Sequence, residues 1–193
     1  VKDSKEFVIV ATTRPETMLG DSGVAVNPTD ERYQHHIGKT LCLPLTDREI
    51  PVFADEYVDP AFGTGAVKVT PAHDFNDHDM GKRHGLEFIN IFHPNAVSND
   101  NVPAKYRNLD RYDLRKLVVE DMQAAGLVEK IEDYQNNVGY SERGNVPIEP
   151  YMSEQWFMKM DELARPALKK KKKGEIRFHP SHWVKTYEHW MNG

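Results

Sequence analysis

Lys68, Thr70, Asp74 and Asp77 put an ammonium, a hydroxyl and two carboxylates within one short stretch of chain. Groups of these types, brought together, can hold a cationic amine, hydrogen-bond a hydroxyl and orient a water for hydrolysis. They lie in Gly63-Thr64-Gly65-Ala66-Val67-Lys68-Val69-Thr70-Pro71-Ala72-His73-Asp74-Phe75-Asn76-Asp77-His78-Asp79. A second polar run, Thr12-Thr13-Arg14-Pro15-Glu16-Thr17, follows the apolar stretch Phe7–Ala11. Each has a plainer reading. Asp74 is placed to cap a helix and Asp77 to favour its first turn, and the Thr/Arg run is placed to form a turn held by hydroxyl–backbone bonds.

Other chemistries fit less well. His73, Asp74, Asp77, His78 and Asp79 raise a metallohydrolase. Yet His73 and His78 are five apart and fall on different helix faces, no His-Glu-x-x-His occurs, and Asp79 stands where a calcium loop needs Gly. No metal is expected, and stoichiometric zinc in the purified protein would revive that reading. No Ser sits in a Gly-x-Ser-x-Gly elbow, and Cys42, between Leu41 and Leu43, has no evident base.

The elements that must carry these groups are readable from period and punctuation. Ala66, Lys68 and Thr70 alternate with Val67 and Val69, so a strand is expected there with one apolar face. Pro71 stops it. A helix then runs from about Asp74 to His84 and ends at Gly85, with Asp74, Asp77 and His78 on one face. Further strands are expected at Phe7–Ala11, Asp21–Asn27, Thr40–Leu45, Arg48–Tyr57, Glu87–Phe92 and Leu127–Asp133, with a helical turn opening at Pro28 and ending at Gly38. Pro94–Asn108 reads as a loop. Asp110–Ala125 is the clearest helix, with Leu114, Leu117, Val118 and Met122 as its stripe and Gly126 as its stop. Asp161–Leu168 is helical, Lys169–Lys173 is a solvated helix end or a phosphate contact, and Trp183, Tyr187 and Trp190 form an aromatic stripe. Short, closely spaced strands predict a mostly β (α+β) fold, a barrel-like β core with peripheral helices.

Composition narrows the classes. A chain of 193 residues with 39% hydrophobic residues can bury one sizeable core. Its net charge of −5 argues against a uniformly basic surface, so any nucleic-acid contact is expected to be local. A lone cysteine allows no intrachain disulfide and fits a reducing, cytoplasmic setting. No apolar run reaches membrane-spanning length, and the start lacks the layout of a signal peptide, so a soluble protein is expected. The chain opens without Met and stops at Met191-Asn192-Gly193 after an aromatic run, as expected of one inserted domain cut from a larger protein, with 174–193 as its return segment.

Thr12–Thr17 and Gly63–Asp74, in that order, resemble the paired signatures of the editing domain of class I aminoacyl-tRNA synthetases. Glu16-Thr17-Met18-Leu19-Gly20-Asp21, Lys68 with Thr70, and Asn76-Asp77 are most similar to the valyl branch. The isoleucyl pattern usually has His at the place of Lys68, and the leucyl pattern an uncharged residue. Val138–Arg143 and Ser153–Met160 extend the resemblance to nearly the whole chain. It implies the editing-domain fold and hydrolysis of a mischarged threonyl ester on the 3′ end of tRNA(Val), within a parent synthetase that binds ATP elsewhere. It also implies no cofactor in this domain, no membrane, and a monomer. By this resemblance Asp77 holds the α-ammonium, and Lys68, Thr70 and Asp74 line the pocket for the threonine hydroxyl. Phe62 is an aromatic wall; Arg14 and Thr17, with Thr13 beside them, face the ester and terminal adenosine. Asp77, Lys68 and Thr17 are the catalytic set, with a positioned water as nucleophile. His73 stays open between a general base and a turn-holding, substrate-side residue. Two readings stand beside this one: an isoleucyl or leucyl editing domain, and a module that binds the tRNA end without hydrolysis.

Overall fold

Alternation in two short runs builds the centre of the protein. In Gly23–Val26 (β1), Val24 and Val26 join one core while Ala25 joins another. In Ala66–Val69 (β4), Ala66 and Lys68 share the first side, and Val67 and Val69 the second. β1 and β4 pair antiparallel, Val24 opposite Lys68 and Val26 opposite Ala66. Thr40–Cys42 (β2) and Glu49–Ala54 (β3) form the expected hairpin, and β3 lies parallel to β1. A computed structural model describes residues 1–192.

The sheet has four strands in the order β2-β3-β1-β4 and is open, which corrects the expected mostly β, barrel-like core. Helical residues make up 30% of the chain and strand residues 12%. Closing a barrel needs every edge paired, but Phe7–Ala11 and Leu127–Asp133 carry no ladder at all. Glu87–Phe92 makes only a single bridge, Phe92 to Ser98. Side chains take its backbone groups instead: Ile91 N–H donates to His73 Nε2 and Phe92 N–H to Asn90 Oδ1, while the Asn90 carbonyl accepts from Asn99 and Asn101. Its backbone groups are thus satisfied without a partner strand.

Helices cover both faces. Asp74 caps Phe75–His84 (α1) by accepting from Asn76 N and Asp77 N, and Gly85 closes it at φ 63°. Met80 of α1 is fully buried against Ala25 and Val69. Asp110 caps Arg111–Ala124 (α2), whose fully buried Leu114 and Val118 enter the other core. Gly81 of α1 meets Pro71: a Cβ built there would sit 2.7 Å from Pro71 Cγ. Gly81→Ala is therefore expected to push α1 off the turn after β4 and cost roughly 1–3 kcal/mol, read as a lower urea midpoint.

The chain divides into two compact units, Val1–Met152 and Ser153–Gly193. The second contains Asp161–Lys172 (α3) and Trp183–Asn192 (α4), joined by an ion pair from Lys171 to Glu188 at 2.6 Å. The lysine run thus forms the last turn of α3, where cations suit the helix dipole. Tyr187 packs on Phe178 at 4.8 Å, while Trp183 and Trp190 are exposed. Among the described residues, no helix is long and apolar enough to cross a membrane.

Candidate functional site

Pro15 fixes the first position of a 3₁₀ turn, Pro15–Gly20, that follows Arg14. The turn buries Thr17 and holds it by a bond from Thr17 Oγ1 to the Arg14 carbonyl at 2.9 Å. From the sheet, the alternation of β4 sends Lys68 and, one step beyond the strand, Thr70 to the same side. Lys68 Nζ donates to Thr17 Oγ1 at 3.0 Å, Asp21 Oδ1 at 2.9 Å and Thr70 Oγ1 at 2.5 Å. All three of its protons are then used. Thr70 Oγ1 in turn donates to Asp21 Oδ1 at 2.5 Å. These side chains are all at least nine-tenths buried.

Asp77 stands at the edge of this group. Its Oδ2 accepts from Thr70 N–H at 2.8 Å, and its other oxygen has no protein partner among the described residues. Burial pushes its pKa up to about 6; the Asp74 and Asp21 carboxylates add to the rise, and the Thr70 N–H and Lys68 oppose it. Burial likewise holds Asp21 above the usual carboxylate range, against the pull of Lys68 and Thr70.

His73 is fully buried, edge-on to Phe92 at 5.1 Å. Because Nε2 accepts the Ile91 N–H at 3.0 Å, the ring proton belongs on Nδ1. Burial, with Arg14 and Lys68 adding, drives its pKa down to about 4, so the ring is neutral at pH 7. Its carbonyl accepts from Arg14 Nη1 at 2.8 Å, tying the second signature to the first.

The structure thus brings Arg14, Thr17, Lys68, Thr70, His73 and Asp77 together. Asp74 is exposed and uses Oδ1 on the α1 cap, at 2.8 Å to Asn76 N and 3.1 Å to Asp77 N. Thr13 and Phe62 are exposed, Phe62 at 68%, and neither joins the buried group. Among the described residues, Glu6, His35 and His36 are the one set of three His, Cys, Asp or Glu side chains whose ligand atoms lie within 4.8 Å of one another. They belong to neither signature.

Asp21 is the main residue that motif reading left without a role, though it ends the quoted Glu16–Asp21 run. An acid two residues before a buried strand was its only local signal. Glu16, Glu149, Arg111 and Arg115 also escaped notice. Glu16 is fully buried and gripped by both Arg115 Nε and Nη2 at 2.7 Å. Nothing local marks a contact between residues 99 positions apart.

The sequence profile described as "Leucyl-tRNA synthetase, editing domain" matches residues 27–112. The chain is 56% identical over 191 residues to a valine--tRNA ligase of Francisella tularensis subsp. tularensis, covering 99% of this chain and 21% of that protein. To a valine--tRNA ligase of Thermotoga maritima it is also 56% identical over 191 residues, covering 99% and 22%. The chain therefore spans about a fifth of the length of the curated relatives it matches. Among solved structures, the agnB2 LeuRS of Agrobacterium radiobacter K84, in a ternary complex with tRNA and LeuAMS, aligns with a TM-score of 0.51 at 21% identity. That alignment covers 64% of this chain and 18% of that one, and shows a shared fold.

Proposed function

Because the chain belongs to the editing-domain family of class I aminoacyl-tRNA synthetases, we propose that it hydrolyses the threonyl ester of mischarged tRNA(Val) as the proofreading part of a valine-specific ligase. The observation that carries the reading is the Lys68 ammonium bonded at once to Thr17, Asp21 and Thr70, which makes one polar site of two distant signatures. Threonine differs from valine by a hydroxyl in place of a methyl. An apolar pocket separates the two by only about a hundredfold, a value already established for valyl enzymes as a class. A second site gains selectivity by the opposite logic. It satisfies the hydroxyl and leaves polar groups unpaired against valine, at roughly 1–3 kcal/mol for each.

In this reading the free oxygen of Asp77 takes the α-ammonium, and the threonine hydroxyl meets Asp74 Oδ2, which the α1 cap leaves unused, beside the wall that Thr70 and Lys68 hold in place. Thr17 Oγ1 donates to the Arg14 carbonyl and accepts from Lys68, which leaves one lone pair for the attacking water. Water adds to the ester carbonyl, the carbonyl π electrons move onto oxygen, and collapse expels the ribose oxygen, which takes up a proton. No covalent enzyme intermediate is involved. Lys68 and Arg14 favour the developing oxyanion. Thr13 and Arg14 face the terminal adenosine, Phe62, exposed in the free chain, is left to cover the bound ester, and His73 holds the turn. The domain works without a cofactor, as a monomer in the cytoplasm, with 174–193 leading back into the parent.

The test compares threonyl and valyl esters of one tRNA with the purified chain. Threonyl ester is expected to be cleaved at least about a hundredfold faster. Equal rates would refute the proposed selectivity, and binding without cleavage of either ester would favour a tRNA-end-binding module.

A further inference from the structure

We propose that Arg115, through Glu16, and Arg111, through Glu149, are positioning residues that set the Arg14 guanidinium and with it the spacing of the two signatures; the inference rests on the hydrolytic reading above. Arg111 and Arg115 are four apart on α2 and therefore share a face. Arg115 forks onto both oxygens of the fully buried Glu16 at 2.7 Å. Glu16 Oε1 lies 3.6 Å from Arg14 Nε. On the other side Arg111 Nη1 holds Glu149 Oε1 at 2.7 Å, and Arg14 Nη2 bonds Glu149 Oε2. Five charges thus alternate in sign from one end of the chain of contacts to the other.

The planar guanidinium of Arg14 has its directions filled: Glu16 near Nε, Glu149 at Nη2 and the His73 carbonyl at Nη1. Because Arg keeps its charge and its fork is rigid, filling these directions leaves it one orientation. Glu16 and Thr17 are consecutive in the same 3₁₀ turn. A shift of the Glu16 carboxylate therefore carries Thr17 Oγ1 away from Lys68 Nζ. Desolvating Glu16 offsets much of what its ion pair contributes to stability, so stability alone is a weak reason for so complete a chain. Placement is the better one, since a displacement of about 1 Å at a reacting centre costs on the order of a hundredfold in rate.

The deciding variant is Arg115→Lys, which keeps the charge but cannot grip two oxygens in a plane. In the chain acting on threonyl-tRNA, its kcat is expected to fall about tenfold, with KM within about twofold and the fold retained at assay temperature. Combining Glu16→Gln with Arg115→Met is expected to cost less than the two single losses multiplied, because Arg115 acts through Glu16. An unchanged kcat in folded Arg115→Lys, a loss confined to KM, or losses that multiply in the double variant would each overturn the proposal. A second readout does not need turnover: the backbone amide resonances of Thr17 and His73 are expected to shift in Arg115→Lys, and unmoved resonances would overturn the inference. A wild-type chain that hydrolyses no threonyl ester would bring down the hydrolytic reading, while the resonances still decide the positioning.

Discussion

Asp77→Asn is expected to remove nearly all threonyl-ester hydrolysis while making the protein more stable at neutral pH. The carboxylate is the proposed partner of the substrate ammonium, and losing the charge from a buried, hydrogen-bonded ion pair costs roughly 2–4 kcal/mol, or about thirty- to a thousandfold in kcat/KM. Asparagine keeps the shape and an oxygen that can still accept the Thr70 N–H, so the turn into α1 is expected to survive. The stability gain follows from linkage. With a folded pKa raised from 3.8 to about 6, the native state binds a proton more tightly than the unfolded chain does. Stability from that proton is present below about pH 4 and is lost as pH rises through about 6. A shift of about two units corresponds to roughly 3 kcal/mol at most, so the neutral variant is expected to gain roughly 1–3 kcal/mol at pH 7 and little at pH 4. His73 acts in the opposite sense: stability from its neutral form is present above about pH 6.5 and is lost as pH falls through about 4. The difference between wild type and Asp77→Asn, by urea unfolding at both pH values, isolates Asp77. Wild-type kcat/KM is expected to rise about tenfold per unit below pH 6 and to level off above it. Full activity in Asp77→Asn would remove Asp77 from the mechanism.

Lys68→Met is expected to cost roughly 3–5 kcal/mol, a large part of the stability of a domain this size. Asp21 is 2% exposed, and its carboxylate would lose the 2.9 Å contact to the only side-chain cation bonded to that carboxylate among the described residues. Thr17 would lose a donor as well. A buried carboxylate left this way avoids its charge by taking up a proton, so the deficit is expected to shrink as pH falls from 7 to 5. Replacing both partners, as Asp21→Asn with Lys68→Met, is expected to recover part of the loss, because the stranded charge goes with its partner. Urea unfolding of the two single variants and the double variant gives the coupling. A loss below about 1 kcal/mol in Lys68→Met would mean that the network is not the core of the site.

Where an element's signals lie within a few residues, sequence reading anticipated it closely. The helix after β4 has its cap at Asp74, its dipole-favoured acid at Asp77 and its stop at Gly85, all contiguous, and it forms with those boundaries. Asp110 and Gly126 bracket α2 in the same way, and the β2–β3 hairpin turns at Thr46-Asp47 as the local pattern implies. Phe7–Ala11 and Glu87–Phe92 went the other way: their apolar, β-branched and aromatic residues signal a strand, whereas a ladder needs a partner edge supplied from elsewhere in the chain.

The two signatures, the residue types able to hold an amine and a hydroxyl, and the local caps that present them were determined by the sequence alone. Tertiary structure decided that Lys68 spends its protons inward on Thr17, Asp21 and Thr70, that Asp74 serves the helix, and that Phe62 stands exposed. It also decided that Arg115 of α2 reaches Glu16. The reason is physical. Helix and turn signals act over a few residues, but contacts across 47, 51 and 99 positions depend on how the open sheet and α2 pack. Burial in that packing sets the carboxylate of Asp77 near pH 6 and the imidazole of His73 near 4, values that no stretch of sequence carries by itself.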